Sequence, residues 1–301
     1  MKRRKVIEQT AKTIFTICAA IAILAVASIT FYLVAKGIPA AREVGIGKLL
    51  FTTSWRPTAE EPSYGIFLII LSSLVSTFAS IIIGVPIGLC TAVFLSEIAN
   101  RITRSVVSSA VELLAAIPSV IYGLIGMMVL SPLMYRLEKA IFAGNETHQF
   151  TGGANLLAAV IVLAIMILPT VISVSASSLQ AVNDSLRYAS LALGATKMQT
   201  IWKVVVPAAK SGLLTGVVLG VGRALGEAMA INMVAGGAVN IPLPFNSVRT
   251  LTTQIVSEMG YAEGLHRRVL FTVGLVLYIF IMIVNFILLK ARRRELHEEH
   301  S

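Results

Sequence analysis

The chain has 301 residues, 56% of them hydrophobic and 13% charged, with 25 Lys and Arg against 15 Asp and Glu for a formal net charge of +10. Mean hydropathy is +0.84. A soluble domain of this length needs far more surface charge, so the composition excludes a water-soluble globular fold. Several apolar runs exceed the ~20 residues needed to cross ~30 Å of hydrocarbon at ~1.5 Å per residue. Helices are the expected spanning element, because the ~10-residue alternating segments of a β-barrel are absent. The positive charge gathers beside the apolar runs and reads as a topology signal, not a nucleic-acid surface. Cys18 and Cys90 fall inside apolar runs without metal-ligand spacing and read as small packing residues.

Lys2, Arg3, Arg4, Lys5 and Lys12 precede an apolar run over about 13–35. The run is too long for a secretory leader and no small-residue cleavage site follows, so it reads as a retained first helix. Residues 36–65, with Pro39, Pro57 and Pro62, form a polar outer segment. The second span covers about 66–96, where Gly84, Pro86 and Gly88 predict a kink or break. Ser72, Ser73, Ser76, Thr77 and Ser80 give it a small hydroxylated face, suited first to helix packing and second to a substrate path. A short loop with Arg101 and Arg104 leads to a third span over 106–134, bent at Pro118 and holding Glu112, a carboxylate placed to meet a cation or a partner subunit. Residues 135–153 are polar and outside. The fourth span covers 154–178, with Pro169 inside it.

A polar, amphipathic inner segment over 179–207 feeds a fifth span over 208–235. An outer loop over 236–268, with Pro242, Pro244 and a short helix near 247–259, precedes the last span over 269–289 and a charged tail. These limits divide the chain into an N-terminal tail, first helix and outer segment (1–65), a permease-like membrane domain (66–290) and a tail (291–301). Six spans place both termini on one side. Fifteen Lys and Arg fall on the terminal side and nine on the other, which predicts cytoplasmic termini.

The fifth span carries Arg223 and Glu227, one turn apart on the same face of a continuous helix. A charged arginine near a helix centre costs about 2.5–3.5 kcal/mol on insertion scales, so it needs a purpose. One reading is a structural salt bridge. The other is anion contact, since a guanidinium offers paired donors matched to phosphate oxygens. Glu227 would then hold the arginine, keep the empty site from trapping anions, or accept the proton of HPO₄²⁻, which sulfate lacks at neutral pH. No nucleotide-binding loop is present. No catalytic or metal cluster emerges from the four histidines, since His148 and His266 lie in outer loops and His297 and His300 in the tail.

From position 188 the inner segment reads YASLALGATKMQTIWKVVVP. A helix from near Asp184, as N-cap, to about Leu193, a turn at Gly194, and a second short helix from Thr196 to Pro207 would present a knob to the cytoplasm, the alternative being a simple interfacial amphipathic loop. Permeases of ABC importers carry E-A-A, three residues, G, nine residues, I-x-L-P in this loop, and the segment resembles that motif. Ala189 and Ser190 stand for the small pair, Gly194 for the glycine, Val204 and Val206 for the two aliphatics, and Pro207 for the proline. Ala195 and Thr196 follow the glycine, and Tyr188 replaces the acidic residue, a departure that touches one usual contact with the ATPase.

The segments VELLAAIPSVIYGLIG (111–126), LAIMILPTVISVS (163–175), SLRYASLALGATKMQTIWKVVVPAA (185–209) and GRALGEAMAINMVAGG (222–237) are similar to the phosphate transporter's permeases. GEAMAINMVAGG and RTLTTQIVSEMG (249–260) look more like the PstC type than the PstA type. The resemblance implies an all-α integral membrane protein with the six-helix type I ABC importer permease fold and a cytoplasmic coupling helix, in a prokaryotic inner membrane. It implies that this chain binds no cofactor, with ATP and Mg held by a PstB-like ATPase dimer. The other implied partners are a PstA-like second permease and a PstS-like external phosphate-binding protein. Arg223 and Glu227 are the residues implicated in the phosphate family. Sulfate or molybdate cargo, and an ion-coupled secondary transporter or channel, are the alternatives.

Overall fold

The computed structural model describes residues 2–144 and 148–298, and its regular structure is almost entirely helical. Helix α1 (Lys2–Val44) outruns its apolar stretch and continues through Pro39. Helix α2 (Ile46–Phe51) and the antiparallel strands β1 (Trp55–Arg56) and β2 (Ser63–Tyr64) fold the outer segment back on itself. Helix α3 (Phe67–Val93) runs on past Pro86, so the expected break is not made. Gly84 and Gly88 serve packing instead: a Cβ at either would come within 2.8 Å of Ile167 or Val171. The helix changes only at its inner end, in a π-helical turn over Phe94–Ile98.

The third span differs from expectation. Ile117 is extended (φ −68°, ψ 125°), as residues before proline prefer. One bent helix over 106–134 therefore becomes α4 (Arg101–Ala116) and α5 (Ser119–Ile125), and α5 continues through a π-helical turn (Gly126–Leu130) into α6 (Ser131–Ile141). The apolar span is Ser119–Ile141. Glu112 lies on the exposed face of α4 and has no ion pair among the described residues.

Helix α7 (Leu156–Gln180), capped by the Asn155 side chain on the Ala158 N–H at 3.0 Å, is the axis of the fold. It touches α3, α4, α5, α6 and two of the later helices. The inner segment forms α8 (Asp184–Ala192) and α9 (Lys197–Thr200), and α9 passes through a π-helical turn (Ile201–Val205) into α10 (Val206–Ala208). A 69° bend then turns the chain into α11 (Lys210–Gly226). The fifth span is not one helix to residue 235. It stops at Gly226 and restarts as α12 (Met229–Val234). Helix α13 (Leu251–Glu258) lies in the outer loop, and α14 (Gly264–Glu298) runs on through the charged tail. Among the described residues, five helices are long and apolar enough to cross a membrane, six when the bent pair ending in α11 is counted as one span.

Helices α1 and α14 pair antiparallel, with Thr30 on Tyr278 at 3.1 Å and Thr272 Oγ1 donating to the Gly37 carbonyl at 2.8 Å. Their far ends therefore share one side of the bundle. The hydroxylated face of α3 is buried, as packing requires. Cys18 and Cys90 are exposed on the outer faces of their helices and take no place in this chain's core, contrary to expectation.

Helix α11 meets α7 along three glycines four residues apart. Gly212 faces Ser178, Gly216 faces Ser175, and a Cβ on Gly220 would come within 2.8 Å of Val171 Cγ2. Between membrane helices, where no hydrophobic effect draws them together, such close approach supplies the contact area. Gly220→Leu should therefore destabilise the detergent-solubilised chain by about 1–3 kcal/mol, the usual cost of overpacking. Gly222→Leu should not, because nothing lies within 4 Å of a Cβ there. Thermal unfolding of the two variants side by side checks this.

Candidate translocation site and inner coupling loop

The antiparallel register on α7 sets the depth of the charged residues. Gly220 lies level with Val171 and Ile167, near the middle of α7, and Arg223 follows one turn further out. Arg223 is half-buried and makes no hydrogen bond or ion pair among the described residues. Its charge reaches the phenol of Tyr122 on α5.

Glu227 does not share a helical face with Arg223. The helix ends at Gly226, and Glu227 is extended (φ −74°, ψ 124°). Its Oε1 accepts the Ala230 N–H at 3.0 Å, and its carbonyl accepts the Thr252 hydroxyl at 2.9 Å. The expected i,i+4 pair gives way to a cap on the restarting helix. Gly226 is a weak helix former, and a carboxylate that satisfies an orphan N–H stabilises the break. The second carboxylate oxygen has no partner among the described residues.

A second break lies beside the first. At Pro118 the Tyr122 hydroxyl donates to the Leu114 carbonyl at 2.7 Å, closing the gap between α4 and α5. Gly123 on α5 lies against Ala230 and Met233 on α12. Irregular backbone at membrane depth is tolerated only where protein buries it or where it lines a hydrated cavity. Two breaks, joined by the contact of α5 with α12, thus lie near an arginine that has no ion pair among the described residues.

Of the seven residues singled out by the loop motif, six lie on one knob and Pro207 follows it. Tyr188, Ala189 and Ser190 sit on α8, with Tyr188 68% exposed. The cap of α8 is Asn183, not Asp184, its side chain accepting the Ser185 N–H at 3.0 Å. Gly194 has φ 83°, the left-handed region that disfavours a Cβ, and reverses the chain. Ala195 leads into Thr196, whose hydroxyl caps α9 in a reciprocal box with Gln199. Ser190 and Thr200 hydroxyls meet at 3.0 Å and tie the two helices together. Pro207 lies in α10, just before the 69° bend. Leu193, at the tip, is 89% exposed.

The residue that anchors this knob escaped the sequence reading. Arg187 reaches Glu97 in the turn after α3 at 2.8 Å, Asp184 at 3.0 Å, and the carbonyls of Val182 and Leu179. The Glu97 hydrogen bond pushes the Arg187 pKa above its ordinary value. The partners stand 90 positions apart, so no spacing pattern announces them.

The outer side holds a cavity of about 750 Å³, lined by Trp55, Arg56, Asn240, Arg249, Glu258 and Tyr261 among others, away from Arg223. His148 and His266 sit on the buried carboxylates of Glu138 and Glu258, at 2.9 and 2.7 Å. His300 lies outside the described residues.

The sequence matches a family of binding-protein-dependent transport system inner membrane components over residues 84–296. It is 40% identical to a probable ABC transporter permease protein, YqgH, of Bacillus subtilis, across 97% of this chain and 94% of that protein. It is 36% identical to the phosphate transport system permease protein PstC of Pasteurella multocida, across 78% and 76% of the two chains. Among solved structures, a chain of a bacterial alginate ABC transporter superposes with a TM-score of 0.65 at 15% identity, over 93% of this chain and 94% of that one.

Replacing Arg187 with methionine should free the knob. Hydrogen bonds to charged groups contribute about 1.5–3 kcal/mol each, and these two side chains are only 17% and 9% exposed. Amide exchange over 188–196 should quicken about tenfold or more, and Arg187→Lys should restore only part of the protection. Exchange monitored by mass spectrometry reads the difference.

Proposed function

We propose, for a chain that belongs to the inner membrane components of binding-protein-dependent transport systems, that it is the PstC-like permease of an ATP-driven phosphate importer. A PstA-like permease would complete the pathway. A PstB-like ATPase dimer would hold ATP and Mg, and a PstS-like protein would deliver phosphate from outside. The orientation in the membrane rests on the excess of Lys and Arg on the terminal side.

The single observation that carries the substrate reading is Arg223. It is a half-buried guanidinium near mid-membrane, between two helix breaks, with no protein anion on it among the described residues. A structural bridge to Glu227 would have put the carboxylate on the guanidinium; instead it caps α12. Arg223 thus keeps its donors for a passing oxyanion, and a guanidinium fork matches tetrahedral oxygens in pairs. The unpartnered oxygen of Glu227 can accept the proton of HPO₄²⁻ and repel sulfate, which has none to give. The PstC relatives favour phosphate over sulfate or molybdate as cargo. The ion-coupled secondary transporter leaves the exposed knob at Leu193 and Tyr188 without a partner.

In proteoliposomes holding the full complex, with assembly verified first, Arg223→Lys should lower ATP-dependent phosphate uptake at least tenfold. Replacing Arg223 and Glu227 together with apolar residues of similar size should abolish it. Near-normal uptake by the double variant would return the pair to a structural role. Glu227→Gln alone should narrow the preference for phosphate over sulfate in competition.

Topology has its own test. A cysteine at Ala59, on a background without Cys18 and Cys90, should react with an impermeant thiol reagent in intact cells. One at Ala195 should stay shielded until the membrane is opened. Labelling of position 195 from outside would reverse the orientation.

A further inference from the structure

Helix α13 is held at three points along a length of about 12 Å. At its start the Leu251 N–H donates to Ser73 Oγ on α3 at 2.8 Å, and the Thr252 hydroxyl donates to the Glu227 carbonyl at 2.9 Å. Along its flank Ser257 Oγ donates to Asn232 Oδ1 on α12 at 2.8 Å. At its end Glu258, 4% exposed, accepts from Trp55 Nε1 at 3.0 Å and from Arg249 at 2.6 Å, and lies 2.7 Å from His266 Nε2. Arg249 also donates to the Gly237 carbonyl at 2.6 Å, in the chain that leaves α12. Trp55, Arg249 and Glu258 form part of the wall of the outer cavity. One short helix therefore joins that wall to the break in the charged span.

The Thr252 contact is the narrowest link in this chain. The Glu227 carbonyl stands at the end of α11, where a helix leaves its last carbonyls without intrahelical donors. A carbonyl left there without a donor is costly wherever protein shields it from water. The donor comes from a buried hydroxyl 25 residues away. Wherever α13 goes, this carbonyl and the carboxylate of the same residue must follow, or lose the bond.

We propose that Thr252 is a positioning residue for Glu227, and that α13 carries the state of the outer face to the charged break. Engagement of the outer cavity wall shifts α13 through Glu258, and α13 sets the Glu227 carboxylate relative to Arg223 through the Thr252 hydroxyl. The proposal rests on the permease reading given above.

The test uses the full complex in proteoliposomes with its external binding protein. Thr252→Val keeps the shape and removes the donor. It should lower ATP-dependent phosphate uptake at least tenfold and bring the ratio of binding-protein-stimulated to basal ATP hydrolysis close to one. Thr252→Ser, which keeps the hydroxyl, should restore both to within about threefold of wild type. Uptake and stimulation ratio within twofold of wild type for Thr252→Val would overturn the proposal. So would a Thr252→Ser variant as defective as the valine, because the methyl contact and not the hydroxyl would then matter. Should Thr252→Val fail to assemble, Ser257→Ala, on the more exposed side of α13, decides. A stimulation ratio lowered threefold or more upholds the proposal, and an unchanged one defeats it. A wild-type complex whose ATP hydrolysis responds to the binding protein but which moves no phosphate would refute the phosphate reading instead, and the Thr252 comparison would still be read from the ATPase ratio.

Discussion

Hydrocarbon offers no hydrogen bonds, so every backbone break inside the membrane must be closed by the protein itself. This constraint shapes the molecule more than any single contact. Most spans meet it by staying helical, as α3 does through Pro86 and α7 through Pro169. Where a helix does stop, a side chain from another turn arrives. Tyr122 closes the Pro118 break, and Glu227 and Thr252 close the break after Gly226. At the inner end of α3, Arg104 satisfies the carbonyls of Leu95 and Ser96, both at 2.7 Å. The breaks are thus built features, and the two deepest lie together beside Arg223.

The same economy organises the two faces. On the face that carries the loop knob, Arg187 gathers Glu97, Asp184 and two carbonyls, so the knob formed by α8, Gly194 and α9 is fixed to the end of α3. Its tip stays apolar and exposed, as a surface meant for another protein does. Outside, Glu258 gathers Trp55, Arg249 and His266 from three separate stretches. Tyr261, 61% exposed, adds a hydroxyl to the cavity wall. Between the faces, the glycine seam of α11 on α7 keeps the charged span close to the axis of the fold.

Much of the perimeter is apolar and uncovered. Nearly all of the first span faces outward, and α4 exposes Ile102, Val106 and Leu113. A bilayer and a second permease are the environments that suit such surfaces. Their presence around a thin core fits a chain that is one part of an assembly.

What the sequence determined by itself follows from local and compositional physics. Apolar length located the first, second, fourth and last membrane helices, because hydrocarbon thickness acts on each run separately, but it misplaced the third and did not foresee the break in the fifth. Gly194 marked the turn of the inner knob, because turn chemistry is decided within a few residues, whereas the cap of α8 fell one residue before the expected Asp184, at Asn183. Tertiary structure decided the rest. An arginine and a glutamate four apart look like a helical pair, and only the Ala230 N–H and the Thr252 hydroxyl, made available by the fold, pull Glu227 off that face. Pro118 was legible as a disturbance, but not the contact that spans the break, where the Tyr122 hydroxyl joins the Ile117 N–H on the Leu114 carbonyl. Arg187 with Glu97, and Glu258 with Trp55, join positions 90 and 203 residues apart. No periodicity spans such distances, because the partners become neighbours only after the helices have packed.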